Sequence, residues 1–156
     1  MIEINIPGEN PIRLEHLVSD VNGTLAVDGV LIKGVIEAIT DLRKNLHIHL
    51  LTADTFGRQH IIDAQLNLKA IRIDFGGEAQ QKANYVRQLG SEKVVALGQG
   101  ANDAAMLKDA ALGLCVLSPE GTSTQTLMAS RLVVPDVLTA LNLLQNPLRI
   151  AASLRK

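Results

Sequence analysis

Aromatic residues are nearly missing from this sequence: 156 residues contain no tryptophan, one tyrosine and two phenylalanines. A core must therefore be filled by Val, Leu, Ile and Ala, which the 47% hydrophobic content permits. Charge of one sign is also missing, since 15 basic residues face 16 acidic ones. The lysines and arginines are scattered, which excludes the electrostatic footprint of a nucleic-acid binder. No basic amphipathic stretch suits a membrane surface, and no apolar run reaches the roughly 20 residues of a membrane span. Cysteine occurs once, so no internal disulfide can form. Cys115 lies in the apolar run Leu112–Leu117 and is expected to be a buried thiol. The start, Met1 to Pro7, alternates apolar and polar residues and lacks the basic and apolar segments of a secretion signal. A soluble cytoplasmic location is the expectation.

What is present is an alternation. Short apolar runs at 2–6, 14–19, 46–52, 70–75, 93–97, 112–117 and 131–134 read as strands. Helical periodicity fills 34–45, 56–67, 78–89, 102–110, 121–129, 136–145 and 147–154. Val35, Ile36, Ile39 and Leu42, for instance, share one helix face. Strand followed by helix, repeated, predicts right-handed crossovers and a mostly parallel sheet covered on both faces. The expected architecture is one three-layer α/β/α, Rossmann-like, doubly wound domain spanning 1–156. Asp28-Gly29 between β-formers predicts a small hairpin directly after the second strand. Pro147 suits the first turn of the last helix.

Doubly wound sheets bind ligands at the carboxyl ends of their strands. The residues there are Ser19-Asp20, Thr52-Ala53-Asp54, Asp74-Phe75-Gly76-Gly77 and Gly98-Gln99-Gly100-Ala101-Asn102-Asp103. Carboxylates, a hydroxyl and glycines concentrate at that edge. The opposite edge carries ordinary turn residues such as Lys44-Asn45 and Ser91-Glu92.

Four segments there carry chemistry. In Ser19-Asp20-Val21-Asn22-Gly23-Thr24 an apolar strand ends on an aspartate, and a glycine lets the chain turn so that its amides can cradle an anion. The same residues also suit an ordinary capped turn. Thr52-Ala53-Asp54 places a hydroxyl before a helix, where threonine and aspartate are equally good caps. Lys82 falls early in a helix, a position mildly unfavourable against the helix dipole. Gly98 to Asp103 holds two glycines and an Asn-Asp pair at a helix start, and it fails the dinucleotide-binding pattern because Asp103 replaces the third glycine.

Taken in order, these segments resemble the four motifs of the haloacid dehalogenase superfamily. Asp20 matches the nucleophile, Thr52 the second-motif hydroxyl, Lys82 the third-motif lysine and Asp103 the late acidic residue. The likeness is closer to the phosphorylation domain of P-type ATPases, through Leu51-Thr52-Ala53-Asp54, Glu78 to Lys82, Gly100 to Ala104 and Gly121-Thr122. It covers roughly 17–134 and is similar to the small stand-alone members called soluble P-type ATPases. Only the hairpin and one helix separate Thr24 from Thr52, so neither a cap nor a nucleotide-binding insert is expected, and no transport.

The resemblance implies an aspartyl-phosphate on Asp20 and a magnesium ion bridging Asp20, the Asn22 carbonyl, Asp103 and a phosphate oxygen. It implies that Lys82 keeps Asp20 ionised, while Thr52, the Gly23 and Thr24 amides and Asn102 hold phosphoryl oxygens, with Ala53 and Asp54 beside them. Two positions depart from the phosphatase pattern. Asn22 stands where an acid/base aspartate is usual and cannot transfer protons, which removes a contribution of about 10²–10⁴-fold. Gln99 stands where an aspartate near the metal is usual, and a neutral amide weakens magnesium binding. Three functions stay open: a phosphohydrolase that is slow or restricted to good leaving groups, a phosphoryl-binding regulatory module, and a receiver-like signalling domain. The expected partner is a small phosphorylated substrate. Self-association through Leu148, Ile150, Ala151 and Leu154 is a further expectation, and the four histidines are not expected to bind metal.

Overall fold

A computed structural model describes residues 1–156. The chain opens with an antiparallel pair, β1 (Ile2–Ile4) and β2 (Ile12–Leu14), then enters the central strand β3 (His16–Asp20). The expected strand over 14–19 is thus divided at Glu15, where the chain passes from the hairpin into the main sheet. A second hairpin follows, β4 (Ala26–Val27) and β5 (Val30–Leu31). Asp28 and Gly29 both have positive φ, 51° and 76°, as the primed two-residue turn requires.

Helix α1 (Val35–Leu42) leads to β6 (His47–Thr52), α2 (Gln59–Leu66) to β7 (Ile71–Arg72), and α3 (Glu78–Leu89) to β8 (Val94–Gly98). Helix α4 (Ala104–Asp109), β9 (Leu112–Val116), α5 (Thr124–Ala129), β10 (Leu132–Val134), α6 (Val137–Gln145) and α7 (Pro147–Leu154) complete the chain. The six-stranded sheet has the order β10-β9-β8-β3-β6-β7, and every neighbouring pair is parallel.

Alternation along the strands makes two apolar layers. Leu17, Leu50, Val95, Leu97, Leu112 and Leu114 face α1, α6 and α7 in a core of 29 buried residues. Val18, Leu51, Val94, Ala96 and Cys115 face the other way, toward α3 and α4, in a core of 10. This is the three-layer, doubly wound architecture expected. Cys115 is fully buried, and burial followed by the charge of Asp103 pushes its thiol up to about 11.

Several boundaries differ, for local reasons. Helix α2 starts at Gln59 rather than 56, because Gly57 has positive φ and the Asp54 carboxylate accepts the Gln59 amide. Strand β7 shrinks to two residues, since the Gln81 side chain ties the main chain of Asp74 and Gly76 into a loop. Helix α5 begins at Thr124, after a turn in which Thr122 Oγ1 bonds Val116 and Ser118. In α1 the buried stripe is Val35, Ile39 and Leu42, while Ile36 points outward. Of the C-terminal residues expected at an interface, Ile150 and Ala151 are buried within the chain and Leu148 remains exposed.

Candidate active site

Asp20 ends the central strand β3, where the neighbouring strands β6 and β8 end on Thr52 and Gly98. Lys82, one turn into α3, crosses the open edge of the sheet to reach it. Its Nζ donates to Asp20 Oδ1 at 2.6 Å and to Asp103 Oδ1 at 2.7 Å, and all three side chains are buried. Asp103 is fixed from behind, because its Oδ2 accepts the Gln99 and Gly100 amides at 3.0 Å each.

The two shifts in this cluster have the same sign, which follows from two carboxylates sharing one ammonium. Burial alone would lower Lys82, but Asp20 and Asp103 together outweigh it and raise it, so the ammonium persists. Burial and then Asp103 raise Asp20 to about 7 against the opposing pull of Lys82 and Thr24. With both carboxylates ionised, one negative charge would be left uncompensated, which is why Asp20 holds its proton more tightly than usual.

The turn after Asp20 is sequence-encoded. Gly23 has φ 79°, a conformation that favours glycine, and a Cβ there would force the Gln99 side chain to move. Thr24 is fully buried and its hydroxyl donates to Asp20 Oδ2 at 3.1 Å. The main-chain amides of Gly23 and Thr24 close the turn onto Ala26 and Val21 at 2.7 and 3.1 Å. They are therefore committed within the turn and are not the free phosphate donors expected. Asn22 Nδ2 donates to Thr52 Oγ1 at 3.4 Å, and Thr52 Oγ1 also accepts the Asp54 amide at 2.9 Å.

A cavity of 210 Å³ opens at this point, with Asp20, Asn22, Ala53, Lys82, Gln99 and Asn102 in its wall. Thr55, Phe56 and Glu120 complete it, three residues that sequence reasoning missed. Glu120 follows β9 in Ser118-Pro119-Glu120-Gly121, a strand exit of the same kind as the others, and that was the available signal. Asp54 is turned away, with positive φ and its Oδ1 on the Gln59 amide, capping α2.

The donor set suits a weakly held divalent cation. The uncompensated charge beside Asp20 favours one, yet no three His, Cys, Asp or Glu side chains converge on a metal position. Gln99 Nε2 donates to the Asn22 carbonyl at 3.3 Å, so an ion there requires the amide to turn and offer Oε1. Magnesium accepts such oxygens while keeping most of its water.

A second cluster lies at the opposite edge. Register places His16 beside His47 at the starts of β3 and β6. His16 Nδ1 lies 3.1 Å from His49 Nε2, and His49 Nδ1 lies 2.9 Å from the Tyr85 hydroxyl.

Several solved structures that share this arrangement of strands and helices are described as phosphatases. The cobalt-bound deoxy-D-mannose-octulosonate 8-phosphate phosphatase of Haemophilus influenzae superposes with a TM-score of 0.67, at 12% identity, over 90% of this chain and 92% of that one. The chain has the haloacid dehalogenase fold. The Moraxella catarrhalis enzyme, solved with magnesium ion, phosphate ion and KDO, matches this chain with a TM-score of 0.64, at 15% identity and 90% coverage of both. A phospho-aspartyl intermediate analogue of phosphoserine phosphatase gives 0.63, at 14% identity, over 86% of this chain and 99% of that one.

Among sequences, an uncharacterized protein of Methanocaldococcus jannaschii is 38% identical over 92 residues, 56% of this chain and 99% of its own length. The chain belongs to the same family as that protein. The "Probable copper-exporting P-type ATPase" of Archaeoglobus fulgidus is 28% identical over 127 residues, 79% of this chain but 16% of the pump. No model of a known protein family matches the chain. No helix is long and apolar enough to cross a membrane.

Proposed function

We propose that this chain is a metal-assisted phosphohydrolase for small phosphorylated substrates, acting through an aspartyl-phosphate on Asp20. The observation that carries the reading is the Lys82 ammonium 2.6 Å from Asp20 Oδ1, in the wall of a cavity large enough for a phosphate and a small leaving group. The neighbours solved with magnesium and phosphate, and as a phospho-aspartyl analogue, support it.

In the first step an Asp20 oxygen attacks phosphorus and the bond to the leaving oxygen breaks. Lys82 neutralises charge on the transferring group. The Thr52 hydroxyl and the Asn22 and Asn102 amides hold its oxygens, with Ala53 alongside. Thr24, donating to Asp20 Oδ2, orients the nucleophile. A magnesium ion held by Asp20, the Asn22 carbonyl and Gln99, with Asp103 adding charge from behind Lys82, supplies further charge neutralisation when bound.

Asn22 cannot protonate a leaving group, so substrates must leave unaided. Acyl phosphates and phosphoanhydrides meet that requirement and alkyl monoesters do not. The Asn22–Thr52 hydrogen bond also favours a second reading, a regulatory module that binds phosphoryl groups with little turnover. A cytoplasmic setting and self-association through the exposed Leu148 belong to the same proposal.

The test is phosphate release with magnesium from acetyl phosphate, nucleoside phosphates and sugar phosphates, for wild type and Asp20→Ala. Release from acyl phosphates that Asp20→Ala abolishes supports the hydrolase. Binding of phosphate with no release from any substrate supports the module. Unchanged release in Asp20→Ala overturns both.

A further inference from the structure

Hydrolysis of an aspartyl-phosphate requires a base for the attacking water, and the residues at the usual place cannot act as one. Asn22 is an amide whose Nδ2 is engaged with Thr52 Oγ1. Asp54 caps α2 and does not border the cavity. Asp103 is fully buried, with both oxygens committed to Lys82 and to two main-chain amides. One carboxylate other than Asp20 stands in the cavity wall, and it is Glu120.

Glu120 is held there by a turn that does not depend on its own side chain. The Gly121 amide donates to the Ser118 carbonyl at 2.9 Å, closing a four-residue turn with Pro119 and Glu120 at its centre. Ser118 Oγ accepts the Glu120 amide at 3.1 Å, and Thr122 Oγ1 pins the base of the turn to Ser118 and Val116. Proline in the first central position pre-sets this conformation. The side chain has one polar contact, from the Asp28 amide of the β4–β5 hairpin to Glu120 Oε2 at 3.3 Å. The residue is exposed to solvent. It is a solvent-exposed acidic residue in the wall of the same small cavity as the nucleophile.

We propose that Glu120 is a catalytic residue, the general base that hydrolyses the phosphoenzyme, and this rests on the Asp20 reading given above. Water attacks phosphorus and its proton passes to a Glu120 oxygen. The bond between phosphorus and the Asp20 oxygen breaks, so Asp20 leaves as carboxylate. Inorganic phosphate departs as the monohydrogen dianion, and Glu120 returns its proton to solvent. Division of labour follows: leaving-group departure is unassisted, whereas dephosphorylation is assisted from the loop after β9.

The experiment labels wild type, Glu120→Gln, Glu120→Ala and Asp20→Ala with acetyl phosphate carrying labelled phosphorus, in magnesium. A chase with unlabelled acetyl phosphate then follows loss of acid-stable label. Glu120→Gln keeps an oxygen for the Asp28 amide and loses the base, so it should label normally and decay about 10²-fold more slowly. Added formate should speed decay of Glu120→Ala several-fold and leave Glu120→Gln unchanged, a rescue that a purely structural role would not give. Normal labelling with equal decay in wild type and Glu120→Gln overturns the base while the Asp20 reading stands. Labelling that persists in Asp20→Ala, or is missing from every variant, overturns the Asp20 reading and the base with it.

Discussion

The Nζ of Lys82 lies 2.7 Å from Asp103 Oδ1, and neither residue is accessible to solvent. That contact fixes the lysine at a point where its second hydrogen bond, to Asp20, becomes obligatory. The carboxyl edge of the sheet is thus organised around a buried charge triad rather than around any single motif.

Removing the ammonium should be costly to the fold as well as to the chemistry. Lys82→Met leaves Asp20 and Asp103 buried and facing each other, and breaking such a group costs about 3–5 kcal/mol. Chemical denaturation should register that loss near neutral pH. Lowering the pH should restore part of it, by protonating a carboxylate. A Lys82→Met protein as stable as wild type at pH 7.5 would show that the triad does not carry this charge.

Asn22→Asp should extend turnover to alkyl phosphomonoesters. The new carboxyl group would protonate alkoxide leaving groups, a contribution of about 10²-fold or more in kcat/KM. The added charge also repels phosphate, so phosphate affinity is measured beside the rate. Brisk monoester hydrolysis by wild type, with no gain in Asn22→Asp, would place the acid elsewhere.

Gln99→Asp should tighten magnesium. It replaces an amide whose Nε2 now faces the Asn22 carbonyl with a charged oxygen donor, in a cluster already carrying one excess negative charge. Calorimetric titration should show Kd falling about tenfold or more, since hard cations favour carboxylate oxygens. Equal affinity in the two proteins would remove Gln99 from the metal's surroundings.

The histidine cluster predicts acid sensitivity. Burial, then the nearness of His16 and His47, lowers His49 to about 4, below the ordinary value of 6.5. The unfolded chain therefore binds the extra proton between those values. Stability from neutral His49 is complete above about pH 6.5 and is lost as pH falls toward 4. His49 is half-buried, so solvent screening reduces the loss to about 1–2 kcal/mol. Asp20 works in the opposite direction over part of this range, so the comparison is made between wild type and His49→Gln. The Tm advantage of wild type should shrink between pH 7.5 and 5. A constant difference would mean that His49 protonates without hindrance.

How much of this was legible beforehand depends on the range over which each feature is decided. Alternating and helical periodicity determined the layers, because the period of burial is a local property of the chain. The Asp28-Gly29 hairpin, the Gly23 turn and the placing of Asp20 and Thr52 at strand exits are local in the same sense. Boundaries were set instead by side chains reaching across loops, as Gln81 does to Asp74 and Gly76 and Asp54 does to the Gln59 amide.

Tertiary structure alone decided three things about the site. It joined Lys82 to Asp103, two residues on different elements, and left the triad one charge short of neutrality. It committed the Gly23 and Thr24 amides to their own turn, a hydrogen-bond choice that composition does not reveal. It brought Glu120 from beyond β9 to the wall of the cavity facing Asp20, a hundred residues away in sequence. The sequence by itself could place chemistry-bearing residues at one edge of a parallel sheet, because strand direction and alternation suffice for that. Which of them meet, and which spend their hydrogen bonds elsewhere, was decided by the crossing of loops above that edge, where no periodicity operates.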